Sequence, residues 1–526
     1  MSPTPRPDRP PRTPLRHLIE RARAAALGTV LPQLHGPDSG DVVVTGVTLD
    51  SRAVLPGDLY AALPGARVHG AQFAEAAIGA GAVAVLTDPD GLELIGQPGV
   101  PVVTVADPRA FLGYVAGQAY QSVPAGLRVV GITGTNGKTT TAYLLDAALG
   151  SQGVNTGLIG TIETRIGPQR LASERTTPES PELHALFALM AQRGVAVATM
   201  EVSSHALALH RVDGAFYDVA AFTNLSQDHL DFHPDMEDYF AAKAALFTPD
   251  RCAQAVVVTE DVWGTRLARQ ARAGGLPVVT LAGGDVGPGG PAGDPPDWLF
   301  APRADDPRAF TLTGPTGDLV LRSGLPGRHN LLNSAVAALI MLALGHDEAA
   351  VQQAIGQDPH VPGRLETVDL GAGAPRAVVD FAHTPDAISA ALRALRTDVP
   401  PTGRLVAVIG AGGGRDRAKR PLMGAAAARL ADAVIVTDDN PRDEEPGAIR
   451  AALLAGAREV HTAVEEVPDR TQALARALEL AGPTGTVAAL GKGHEQGQEI
   501  AGTIHPYDDR LALAAARALV EGREVP

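Results

Sequence analysis

Short runs of β-branched residues alternate with Ala/Leu-rich stretches of helical period along most of the chain, the pattern of α/β domains. Val42–Val44, Val83–Leu86 and Val102–Val105 are predicted strands of a first unit that ends near Pro124. A second unit opens with the apolar run Leu127–Thr133, which enters a glycine turn and then a helix predicted over Thr139–Leu149, where Leu144, Leu145, Ala148 and Leu149 share a face. Further strands are predicted at Val195–Met200, Val219–Phe222 and Ala255–Thr259. A third unit follows His360-Val361-Pro362-Gly363-Arg364, with strands predicted at Ala377–Asp380, Leu405–Ile409, Ala433–Val436 and Val487–Leu490. The expected architecture is three α/β domains in series, 15–124, 125–360 and 361–526, without an internal repeat. Residues 282–298 form a Gly/Pro-rich insertion expected as a surface loop.

Composition narrows the picture. A length of 526 residues fits about three to four domains. With 59 acidic against 44 basic side chains, the net charge of −15 argues against a protein that coats nucleic acid or anionic lipid. The single cysteine, Cys252, excludes an intramolecular disulfide framework and suits a reducing compartment. No apolar run approaches the ~20 residues of a membrane span. The Pro/Arg-rich start has no apolar stretch behind it, so residues 1–14 read as a disordered tail and not a secretory signal. A soluble, cytoplasmic protein is expected.

The chemistry concentrates in the second unit. Gly134-Thr135-Asn136-Gly137-Lys138-Thr139-Thr140 lies between a strand and a helix, where glycines let backbone N–H groups converge on phosphate oxygens and the helix start adds its positive end. Lys138 would reach the β/γ-phosphates and the Thr139 hydroxyl would ligate magnesium. The usual G-x4-GK[ST] spacing is broken, because Ile132 stands five before Gly137. Glu201, after a predicted strand, is placed for a magnesium ligand. His229, in a polar and acidic segment after Val219–Phe222, is either a metal ligand or a hydrogen-bonded bystander. Lys243 shares a helical stripe with Phe240, Leu246 and Phe247. Burial would lower its pKa, and a neutral amine can add carbon dioxide to become an anionic carbamate. Snorkelling, with the ammonium in water, explains the same stripe more simply.

Several motifs occur together in one order: G-T-N-G-K-T-T, Thr176-Thr177-Pro178, E-V-S-S-H-A-L from Glu201, F-T-N-L-x-x-D-H-L-D-x-H, A-K-x-x-L-F, His329-Asn330 with Asn333, D-x-A-H-T-P-D from Asp380, and Asp439-Asn440-Pro441-Arg442. In this combination the chain resembles the Mur ligases, and among them the members that add the third stem-peptide residue of peptidoglycan. The resemblance runs from about Leu49 to Glu495. It implies an N-terminal UDP-binding domain, a central P-loop ATPase domain and a C-terminal Rossmann-like domain. It further implies that ATP and Mg2+ are used, with Thr139, Glu201, His229 and carbamylated Lys243 holding two magnesium ions around the ATP phosphates. Asn330, Arg364 and Asp380 would complete the ATP site. Leu49 and Ser51 would contact the uridine diphosphate, and Thr176, Thr177, Ser203 and Arg211 the muramoyl-dipeptide. Arg175 and Leu209 depart from the pattern of enteric members, which have Asn and Gln there.

In the third unit, Gly410–Arg415 imitates a dinucleotide fingerprint, but Arg415 replaces its last glycine, so nicotinamide binding is rejected. Arg415 and the Asp439-Asn440-Pro441-Arg442 segment instead resemble a diaminopimelate-type amino-acid site. An arginine fork can read the second carboxylate that lysine and ornithine lack. Gly491 and Glu495 would then receive the distal end of the substrate. The implied reaction joins a diamino acid to a UDP-N-acetylmuramoyl-dipeptide through an acyl phosphate. The alternatives are the same ligation with lysine or ornithine, a MurF-like or folylpolyglutamate-type ligase, and a regulatory protein that binds ATP without ligating anything. Oligomeric state is not legible.

Overall fold

The computed structural model describes residues 5–26, 31–37, 42–122, 126–284, 295–460 and 463–523. Three sheets organise them. The first has five strands in the order Gln33–His35, Val102–Thr104, Ala84–Thr87, Asp58–Ala61, Gly46–Thr48, parallel except for its first. The second has eleven strands, with a parallel centre flanked by antiparallel hairpins. The third has six, parallel except for Glu366–Val368 at its edge. The central strands are buried on both faces and therefore read as unbroken apolar runs, which is why they were legible.

Adjacency in the second sheet builds the site. Val197–Glu201, Arg128–Thr133 and Val219–Phe222 are side by side and parallel, with Glu201 paired to Ile132 and Phe222 to Thr133. Three segments distant in sequence thus release their loops at one sheet end, the crevice where open α/β sheets bind ligands. In the third sheet, Arg376–Asp380, Thr486–Leu490, Leu405–Ile409 and Ala433–Val436 do the same for Asp380, Gly491, Gly410 and Asp439. The helix Lys138–Ser151 packs on Arg328–Ala343 over one face of the second sheet. Helix Pro108–Tyr120 of the first domain packs on Ser180–Gln192 of the second.

Two expectations change. Of the tail, Met1–Thr4 lie outside the described residues, but residues 5–14 are anchored. Arg6 pairs with Asp58 at 2.6 Å, Thr13–Pro14 pair antiparallel with Val43–Val44, and Arg9 exchanges hydrogen bonds with Gln192. An extended proline-rich strand has no hydrophobic period, so its docking by side-chain contacts left no trace in the pattern. The insertion at 282–298 is also shorter than expected. Strands Val278–Gly283 and Trp298–Pro302 take both ends, and Trp298 is buried against Gly314, where a Cβ would come within 2.2 Å of the indole. Its middle, 285–294, lies outside the described residues.

Candidate active site

The loop Gly134–Lys138 is braced by the segment that leaves Val219–Phe222. Thr135 N donates to Asn224 O at 2.9 Å and Asn136 N to Asn224 Oδ1 at 3.0 Å, while Thr223 Oγ1 donates to Asn136 O at 2.6 Å. Gly134 has φ +147° and lies so close to Thr223 that a Cβ would stand 2.0 Å from its hydroxyl. Gly137, at φ +89°, starts the helix, and Asn333 fills the space beside it. Lys138 curls over its own loop and donates to Gly134 O and Thr135 O, each at 2.9 Å. Thr140, next on the helix, is buried.

Glu201 closes its strand instead of following it, and is 1% exposed. Its carboxylate accepts from Thr139 Oγ1 at 2.8 Å, Thr161 N at 2.8 Å and Thr161 Oγ1 at 3.2 Å. Thr161 Oγ1 is 3.0 Å from Thr176 Oγ1, and Thr177 Oγ1 donates to Glu201 O at 2.8 Å and accepts from Ser203 N at 3.1 Å. The Thr-Thr-Pro segment is therefore pinned to the acid. Arg211 pairs with Glu179 at 2.9 Å. Leu49 and Ser51 belong to the first domain, where Asp50 caps the short helix Ser51–Ala53; among the described residues no hydrogen bond joins them to the phosphate loop.

Lys243 does not snorkel. It is 1% exposed, its Nζ donates to Gly134 O at 3.0 Å, and it lies 4.7 Å above the Tyr239 ring centroid. Among the described residues no carboxylate pairs with it. Burial, reinforced by nearby Lys138, holds its pKa well below that of an ordinary lysine. His229 sits at φ +56°, edge-on to His205, with burial pushing its pKa down to about 3. Its neighbour Asp228 reaches the third domain, accepting from Lys419 Nζ at 2.9 Å with His383 Nε2 at 3.6 Å.

The third domain meets the loop directly. Arg364 stacks on Phe381 at 4.8 Å and its Nη2 donates to Thr139 Oγ1 at 3.2 Å. Asp380 accepts from Leu365 N and Ala382 N, and burial raises its pKa. Asn330 holds Pro326 O and accepts from Asn333. Deeper in the third domain, fully buried Lys492 lies 3.1 Å from Asn440 Oδ1, 3.3 Å from Glu495 Oε2 and 3.6 Å from Asp439 Oδ1. Asn440 Nδ2 donates to Glu495 Oε2 at 2.8 Å. Gly491, at φ +113°, leaves room for Asp439, and Arg442 follows Pro441 at φ +51°. Arg415 is exposed and lies 3.5 Å from Asp231 across the domain boundary.

Known protein families match all three parts of the chain. Residues 43–120 match the Mur ligase family catalytic domain, 132–341 the Mur ligase middle domain, and 363–493 the Mur ligase glutamate ligase domain. A Streptomyces avermitilis protein named UDP-N-acetylmuramoyl-L-alanyl-D-glutamate--2,6-diaminopimelate ligase is 49% identical over 98% of this chain and 99% of its own. A UDP-N-acetylmuramyl-tripeptide synthetase of Leifsonia xyli is 46% identical over 91% of this chain and 93% of its own. The chain belongs to the Mur ligase family.

A solved UDP-N-acetylmuramoyl-L-alanyl-D-glutamate--2,6-diaminopimelate ligase superimposes on this Mur ligase with a TM-score of 0.61 at 31% identity, covering 91% of this chain and 95% of that one. MurF from Acinetobacter baumannii reaches the same TM-score, 0.61, at 19% identity over 90% of this chain and 94% of its own, a likeness of fold alone. The three-domain architecture expected from the sequence is thus that of the family. Of the two departures, Arg175 is exposed and Leu209 half-buried. Sequence reasoning gave no role to Thr161, Asp228, Lys419 or Lys492. The last lies inside Gly491-Lys492-Gly493-His494-Glu495, and a lysine between two glycines beside an acid was the available signal.

Among the described residues no group of three or more His, Cys, Asp or Glu is gathered to hold a metal ion. The hard oxygens of Thr139 and Glu201 nevertheless fit Mg2+, which takes one or two protein ligands and completes its shell from phosphates and water. Lys243 as an ammonium does not fit; as a carbamate it would.

Proposed function

We propose that this Mur ligase couples ATP hydrolysis to the addition of meso-2,6-diaminopimelate to the D-glutamyl carboxylate of UDP-N-acetylmuramoyl-L-alanyl-D-glutamate. The observation that carries this reading is the Arg364–Thr139 contact, by which the third domain, the one that carries the Asp439–Arg442 segment, meets the phosphate loop. The names of relatives at 43–49% identity support the same substrates. A cytoplasmic site of action belongs to the reading, in keeping with the single cysteine. Among the described residues no helix is long and apolar enough to cross a membrane.

A carboxylate is a poor electrophile, so it must be activated before an amine can attack. Gly134–Thr140 would cradle the ATP phosphates, with Lys138 exchanging its own loop carbonyls for β/γ-phosphate oxygens. Thr139, Glu201, His229 and carbamylated Lys243 would hold Mg2+. Bound there, the metal would neutralise charge between the phosphates and the incoming carboxylate. Asn330, Arg364 and Asp380 complete the nucleotide site. Leu49 and Ser51 orient the uridine diphosphate; Thr176, Thr177, Ser203 and Arg211 orient the dipeptide.

The carboxylate oxygen attacks the γ-phosphorus and ADP leaves, giving an acyl phosphate. The free amine of the amino acid attacks its carbonyl carbon, a proton leaves the nitrogen, and the C–O bond to phosphate breaks. Positioning and charge stabilisation supply the catalysis. Arg415, Asn440 and Arg442 would read the substrate carboxylates, with Asp439, Gly491 and Glu495 around its distal ammonium.

The test is phosphate release with diaminopimelate, lysine or ornithine as acceptor. Release is expected to need ATP, the UDP-muramoyl-dipeptide and diaminopimelate together. Equal release with ATP alone would identify a nucleotide-binding regulator instead, and preference for lysine or ornithine would reassign the amino acid.

A further inference from the structure

Arg442 is already engaged by a carboxylate of its own chain. Its Nε donates to Glu499 Oε2 at 3.0 Å and its Nη1 to Gly413 O at 2.8 Å; among the described residues Nη2 makes no hydrogen bond. Glu499 lies on the hairpin Gly497–Ile500 and Thr503–Pro506, which is docked on the Asp439–Arg442 segment by main chain. Arg442 N donates to Glu499 O at 3.0 Å, Ala501 N to Arg442 O at 2.8 Å, and Glu499 N to Asn440 Oδ1 at 3.0 Å. These bonds fix the Glu499 backbone whatever its side chain does. The carboxylate itself is half-buried, with 39% of its side chain exposed, and among the described residues no other basic side chain pairs with it.

A guanidinium offers its strongest bidentate edge to one carboxylate at a time. An acidic side chain at Nε therefore occupies one arm of the fork and lowers the positive potential an incoming carboxylate meets. We infer that Glu499 competes with the second carboxylate of the substrate for Arg442, and so sets how strongly this Mur ligase discriminates diaminopimelate from diamines that lack that group. The inference rests on the proposed reading of Arg442. A diacid must displace Glu499 or share the guanidinium with it, whereas lysine or ornithine leaves the internal pair intact.

The experiment is Glu499→Gln in the full chain, with kinetics on diaminopimelate, lysine and ATP. The amide keeps the size, the backbone bonds and an oxygen for Arg442 Nε, and removes the charge. KM for diaminopimelate is expected to fall about 2- to 5-fold, the scale of one partly exposed charge pair, with the KM for ATP and the melting temperature unmoved. Selectivity over lysine should rise by the same factor, and the gain should shrink at high salt. An unchanged or raised KM for diaminopimelate would overturn the inference, since a merely structural hydrogen bond survives in the amide. Arg442→Ala in parallel separates the two claims. If it spares diaminopimelate use, the reading of Arg442 itself fails; if it removes that use while Glu499→Gln has no effect, only the competition fails.

Discussion

Lys243 and Lys492 are both buried lysines, and their surroundings set them apart. Lys492 has Asp439, Glu495 and Asn440 within 3.6 Å and is a compensated cation. Lys243 has one carbonyl and one aromatic face, and burial depresses its pKa. Desolvation at that position disfavours the ammonium, and a neutral amine is the form that takes up carbon dioxide. Lys243→Ala is therefore expected to lower ligation by about 1,000-fold or more, the scale of removing an electrostatic group from a phosphoryl-transfer site. A short carboxylic acid in the medium should restore part of it, and bicarbonate should not. Full activity in the alanine variant would remove the carbamate from the reading.

At the scale of elements, the phosphate loop depends on glycine where strand Arg128–Thr133 passes beside Val219–Phe222. Gly134 combines a positive φ with a contact that leaves no room for a Cβ. Gly134→Ala should cost about 1–3 kcal/mol through backbone strain and overpacking, read as a lower denaturant midpoint. It should also raise the KM for ATP, because the loop N–H groups would turn from their common focus. An unaltered midpoint and nucleotide affinity would contradict the packing described. The Glu201 side depends on another adjacency, that of Val197–Glu201 with Thr156–Ile159: after the latter strand Gly160 leaves space for the carboxylate and Thr161 supplies two of its donors.

Across the whole molecule, neutral imidazoles lie near the domain junctions, His184 fully buried and His329 and His494 half-buried. His184 bridges Ser122 Oγ and Asp213 O where the first and middle domains meet, and burial pushes its pKa down to about 4. His329, beside Gly327 where that turn approaches Ala394 of the third domain, is likewise pushed to about 4, and His494, packed on Phe381, to about 3. Each accepts its proton more readily when unfolded, near pH 6.5, so the stabilisation is complete above that pH and declines as pH falls toward the folded values. Melting temperature is expected to decrease steadily from pH 6.5 to 4, with each such histidine contributing at most about 1.4 kcal/mol per pH unit. A flat profile over that window would show these imidazoles to be hydrated. Asp228 works in the opposite range: burial disfavours its charge, but His383 and Lys419 outweigh that and hold its pKa well below the carboxylate range, so its bond to Lys419 outlasts the histidine transition.

The apolar runs by themselves determined the strands Arg128–Thr133, Val219–Phe222 and Leu405–Ile409, because a strand buried on both faces must be apolar throughout. The glycines and Lys138 between strand and helix determined a phosphate-loop candidate, since few other uses require that spacing. Only tertiary structure decided the rest. It put Lys243 inside instead of at the surface, because a helical stripe fixes a direction but not what covers it. It tied Thr161 to Glu201 and Arg364 to Thr139, and it set Glu499 on Arg442, through pairings made by strand order and domain contact across 40 to 225 residues of chain. Such partners carry no local periodicity, and their chemistry exists only once the sheets have brought them side by side.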